Sequence, residues 1–256
     1  MNINGKNFMS DFEAKKAIVE ISRNLSFKGY AVGNDGSVSV RAEQNAFWIT
    51  SGEENKSFMS IDKLIKIDLD GKFISGSYKF FKSGNLPDEL NYHIQMYKEN
   101  KNISSIIHCY PPEAIIYSMQ GLPILKQDFT KSVKRLGEIP IQLYTEKFNI
   151  SQDIIEKHKG VLLKGNGCLV WGNDLYDTYS NIEVIEYVSK VLNRTKNKIL
   201  GEETSYVEQD VVKNLKGVTS IVKPSYENNT DYTDNSEKER FIQEVILQVT
   251  RKLTET

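Results

Sequence analysis

The chain has 256 residues, 39% hydrophobic and 26% charged, enough for one large domain with a sizeable core and an appendage. Its 33 basic and 34 acidic side chains leave a net charge of -1, which excludes a general pull toward nucleic acid or anionic lipid. Two cysteines do not make a disulfide scaffold, no run approaches the ~20 apolar residues of a membrane span, and the first residues are polar, so a cytoplasmic protein is expected.

Residues 10 to about 28 carry Phe12, Ala17, Ile18, Ile21 and Leu25 at helical spacing, which predicts an amphipathic helix ended by Gly29. Val38-Ser39-Val40 and Phe47-Trp48-Ile49 predict short strands around a polar turn. Residues 64–69 alternate at period two and run into Asp70-Gly71, a hairpin signal whose partner strand begins at Phe73. A helix over 88–99 and a strand over 103–108, ending on a histidine, come next. Pro111-Pro112 opens a helix over 113–119, because proline suits a first helical turn. A strand over 139–143, a helix over 150–157 and an apolar strand over 160–163 lead into Gly165-Asn166-Gly167. Asp174 then caps a long helix with Leu175, Ile182, Ile185, Val188 and Leu192 on one face.

Strands mixed with helices imply one α/β layered domain over residues 1–200. Residues 201–235 are polar and unpatterned and read as a linker, with one short helix over 207–215. Over residues 236–256 a capping box, Ser236-Glu237-Lys238-Glu239, precedes Ile242, Val245, Ile246, Val249 and Leu253 at helical spacing, which predicts a tethered amphipathic helix.

Six segments carry a family resemblance. They are the glycine-rich turn 33–41, the loop Ile49-Thr50-Ser51-Gly52, the strand and turn 64–71, Glu89-Leu90-Asn91-Tyr92-His93, the run 106–114 around His108, and the segment 161–172. In this order they resemble the class II aldolase/adducin family. That resemblance implies a central, mostly antiparallel sheet with helices on both sides, and a homo-oligomer, commonly a tetramer, with active sites at subunit interfaces. It also implies an acid/base at Glu89, phosphate contacts at Gly36, Ser37, Ser51 and Gly52, and metal ligands at positions 108, 110 and 166.

Aldol cleavage in that family makes an enediolate, whose charge a zinc ion spreads across two oxygens. The ion needs three fixed ligands, and neutral imidazoles suit it. Only His108 remains; Tyr110 and Asn166 stand at the other two positions. A phenol must first lose its proton, and a carboxamide is a poor partner for zinc. A site rebuilt from Cys168 or His93 is one alternative; small buried cysteines are the other. Glu89 needs a raised pKa to serve as an acid, or else it is a helix N-terminal carboxylate helped by the dipole. Pro87 and Asp88 precede it where the family has small hydroxyl residues; proline lacks an N–H and aspartate repels an anion, so a phosphorylated substrate is disfavoured.

Three readings follow. One is a degenerate member without a bound cofactor, a cargo or structural component of an enzyme assembly. A second is an active aldolase or related lyase that uses zinc or another divalent metal at an altered site. The third is a small-ligand binding protein using the pocket around Gly36, Ser51 and Glu89. The end helix resembles targeting peptides of bacterial microcompartment cargo, which dock on a shell or cargo protein by burying anchors in a groove. Self-packing and membrane association compete with that reading, though the polar face is not predominantly basic.

Overall fold

Helix α1 (Asp11–Phe27) begins at a capping box: Ser10 Oγ accepts the Glu13 N–H, and the Glu13 carboxylate accepts the Ser10 N–H. Ala17, Ile18, Ile21 and Leu25 are buried along one stripe, as the spacing predicts. Phe12 departs from that stripe and is 65% exposed. It precedes Ala17 by five positions, which places it about 140° around the helix. The computed structural model describes residues 8–125, 136–144 and 149–216.

Eight strands form one sheet: β1 (Ser37–Glu43), β2 (Ala46–Ile49), β3 (Ile65–Asp68), β4 (Phe73–Gly76), β5 (Ser105–Cys109), β6 (Ile141–Leu143), β7 (Gly160–Lys164) and β8 (Cys168–Gly172). Their order is β4-β3-β2-β1-β5-β8-β7-β6. Every neighbouring pair is antiparallel except β6 and β7, so the sheet is mixed and mostly antiparallel. The two predicted hairpins form, β1 with β2 and β3 with β4. The other α-helices among the described residues are α2 (Tyr78–Lys82), α3 (Leu90–Glu99), α4 (Pro112–Met119), α5 (Gln152–Lys157) and α6 (Leu175–Lys216). Helix α2 carries no pattern long enough to read from sequence.

Alternation along β5 shows why the sheet is covered on both faces. Ile107 and Cys109 belong to one core with Ile18 of α1, Tyr117 of α4 and Ile185 of α6. Ile106 belongs to the other, with Met96 of α3 and Ile155 of α5. His108 shares the Ile106 face, so the strand presents it toward α3.

Two compact units divide the chain, residues 1–201 and 202–256. In the second, residues 202–216 are helical, which takes in the short helix expected over 207–215 and the start of the segment read as a linker. Residues 217–256, including the predicted end helix, lie outside the described residues. No helix among the described residues is long and apolar enough to cross a membrane.

Candidate active site

Two loops close on the end of β5, and each needs a glycine there. Gly36, at φ +80°, lies so near β5 that a Cβ would stand 2.7 Å from the His108 carbonyl oxygen. Gly167, at φ +75° in the β7–β8 turn, would drive a Cβ into the Cys109 carbonyl. The glycine-rich turn and the Asn166 turn therefore both reach His108.

His108 is fully buried. Its Nδ1 lies 2.8 Å from Glu89 Oε1, and its Nε2 lies 3.0 Å from the backbone oxygen of Asn166. A carbonyl only accepts, so Nε2 carries a proton. Glu89 sits at the N-cap of α3 and is 6% exposed. Burial raises its pKa, but the hydrogen bond and charge of His108 outweigh burial and hold the carboxyl down at about 2. An acid for catalysis would need the opposite shift. Both imidazole nitrogens are thus engaged, one by a carboxylate and one by a carbonyl.

The structure brings positions 108, 110 and 166 together. The Tyr110 ring stands edge-on to His108, with centroids 4.8 Å apart, and its hydroxyl lies 3.5 Å from Glu89 Oε1. Burial, then the Glu89 charge, pushes that phenol far up, so it keeps its proton. Asn166 meets His108 through its main chain, and its buried Nδ2 has no hydrogen-bond partner.

Neither alternative ligand is available. His93 is buried with Nε2 2.9 Å from Ser37 Oγ and Nδ1 2.7 Å from Ser39 Oγ, which in turn lies 2.8 Å from the Tyr97 hydroxyl. Burial drives the His93 pKa down to about 3, so the ring is neutral. Cys168 does not turn toward His108; it lies on the opposite face, its sulfur 3.9 Å from that of Cys109.

A cleft of about 270 Å³ opens beside Tyr110 and Glu89. Gly36 and Gly52 line it, while Ser37 and Ser51 are buried behind it. Ser37 points to His93, and Ser51 Oγ has no hydrogen-bond partner among the described residues. Asp35, Glu53, Asp88 and Glu89 border the cleft, and among the described residues no lysine or arginine does. Lys56 is near but buried, its Nζ donating to the carbonyls of Asn34, at 2.7 Å, and Glu54, at 3.3 Å. Burial lowers its pKa to about 8 against the pull of Glu89 and Asp35. Nothing in its local sequence distinguishes Lys56 from a surface lysine.

The sequence profile of the Class II Aldolase and Adducin N-terminal domain matches residues 16–192. The chain belongs to that family. It is 25% identical over 219 residues to a 3-oxo-tetronate 4-phosphate decarboxylase of Haemophilus influenzae, covering 81% of this chain and 98% of the relative. An L-fuculose phosphate aldolase of Methanocaldococcus jannaschii is 27% identical over 185 residues, covering 69% of this chain and 94% of the relative. In fold, it is similar to the L-fuculose-1-phosphate aldolase of Thermus thermophilus, with TM-score 0.61 and 19% identity over 72% of this chain and 95% of that one.

A class II aldolase domain implies a divalent metal, and the donors present here do not fit one. His108 has both nitrogens engaged, Tyr110 is a protonated phenol, and Asn166 directs a carbonyl at the imidazole. Among the described residues, no three His, Cys, Asp or Glu side chains are placed to share an ion.

Proposed function

We propose that this chain is a class II aldolase-family protein in which a buried His108–Glu89 pair has replaced the metal centre, and that it lacks zinc-dependent aldolase activity. The engagement of both His108 nitrogens carries this reading, because an ion must displace a charged hydrogen bond to bind there. The acidic border of the neighbouring cleft adds to it, since a sugar phosphate would meet like charge.

The role that remains is that of a cytoplasmic cargo or structural subunit, a homo-oligomer as the family resemblance implies, directed by residues 236–256 to a microcompartment shell or cargo protein. The apolar spacing of Ile242, Val245, Ile246, Val249 and Leu253 supports that last step.

Elemental analysis of the purified native protein after dialysis tests the central claim. A well-folded chain without stoichiometric transition metal is expected. About one tightly held divalent ion per subunit would reject the reading and favour an active sugar-phosphate aldolase or related lyase with an altered metal site.

A further inference from the structure

We infer that a second cleft, at the other end of β5 and β8 from His108, binds a neutral polyhydroxylated small molecule such as a monosaccharide or a polyol. The register pairs Ser105 with Gly172 and His108 with Leu169, so the two sites lie roughly 10 Å apart along the strand. This cleft is about 360 Å³, within the range of small-molecule sites, and the ends of α3 and α5 and the first turns of α6 enclose it.

Two largely buried side chains turn polar groups to it that have no protein partner among the described residues. Trp171 is 3% exposed and Asn181 7%, yet neither the indole N–H nor the carboxamide has a hydrogen-bond partner among the described residues. Both polar groups are open to the cleft rather than sealed in the core, so the hydroxyl groups of a small molecule can take the place of water there. His158 adds a third group. Its Nδ1 donates to the Glu138 carbonyl at 2.9 Å, so Nε2 is the ring nitrogen left for a ligand.

The chemistry of this set selects the ligand. An indole N–H donor, an imidazole nitrogen and an amide that both donates and accepts match hydroxyl groups, each of which donates and accepts. Ile103 and Ile155, both buried, join the Trp171 ring as apolar surface for C–H groups. The charged residues at the edge, Glu156, Lys159 and Asp177, are exposed and of mixed sign, so the cleft offers an ionic ligand no buried counter-charge.

Calorimetric titration of the full chain with D-glucose, myo-inositol and glycerol, and with gluconate as the charged control, tests this. Saturable binding of at least one neutral probe, tighter than about 1 mM and tighter than gluconate, is expected. The indole N–H resonance of Trp171, assigned with Trp171→Phe, moves with the same midpoint. Asn181→Ala raises the dissociation constant at least about tenfold; if that variant does not fold, the near-isosteric Asn181→Asp serves, and the resonance shift in the native chain locates the site independently. No saturable binding, tighter binding of gluconate, or binding that leaves the Trp171 resonance and the Asn181 variants unaffected would overturn the inference. So would an oligomer that Asn181→Ala dissociates while no probe binds, which would assign the cleft to a second copy of the chain.

Discussion

Replacing Glu89 by glutamine removes the carboxylate charge from the buried pair while leaving an amide of the same shape to hydrogen-bond His108 Nδ1. Folding moves the carboxyl from its ordinary 4.5 to about 2. At about 1.4 kcal/mol per pH unit, that difference contributes about 3 kcal/mol. The folded pKa is depressed, so the contribution is complete above pH 4.5 and is lost as the pH falls toward 2. By pH 3 roughly half of it remains. Urea unfolding of native protein and Glu89→Gln, at pH 7 and at pH 3, reads the effect directly. A gap approaching 3 kcal/mol at neutrality, about halved in acid, is expected. A gap below about 1 kcal/mol at pH 7, or one that does not shrink at pH 3, would refute the claim that an ionised Glu89 held by His108 occupies the proposed metal position.

Restoring Tyr110→His and Asn166→His together is expected to create a tight zinc site with His108, read as about one zinc per subunit after dialysis; absence of zinc would show that these positions are not the ligand set. Gly167→Ala meets both a left-handed backbone and the Cys109 carbonyl, so a loss of more than about 2 kcal/mol in urea unfolding is expected, and a neutral result would contradict the closeness of the β7–β8 turn to β5. Deleting residues 236–256 is expected to leave the melting temperature of the sheet domain unchanged; a large fall would reject the tethered-peptide reading.

Much of the architecture was legible because periodicity reports burial. Alternation over 64–69 and the Asp70-Gly71 turn located β3 and β4. The apolar face of Leu175, Ile182, Ile185 and Val188 located the packed half of α6, and all four side chains are buried. Phe12 was misplaced because a list of apolar positions does not by itself fix an angle around the helix axis. Helix α2 was missed because its five residues are too few to show a period.

At the site, sequence order identified Glu89, His108, Tyr110 and Asn166 as one group, and strand geometry set Cys109 on the face away from His108. The pairing of those groups was not legible. Which oxygen meets Nε2 depends on the fold of the Gly165–Gly167 turn, and it is the Asn166 main chain, which every residue type possesses, that closes on the imidazole. The roles of Ser37 and His93 were likewise hidden, since their contact joins β1 to α3 across 56 positions.

Residue identity alone determined which side chains stand at 87, 88, 110 and 166: a proline, a carboxylate, a phenol and a carboxamide, none of them an imidazole. Side-chain chemistry sets those limits in any conformation. The tertiary structure decided how these groups pair, because burial and distance govern ionisation and hydrogen bonding. Only when α3, β5 and the β7–β8 turn pack together does a carboxyl reach about 2, an imidazole use both nitrogens, and a lysine sink behind an acidic cleft.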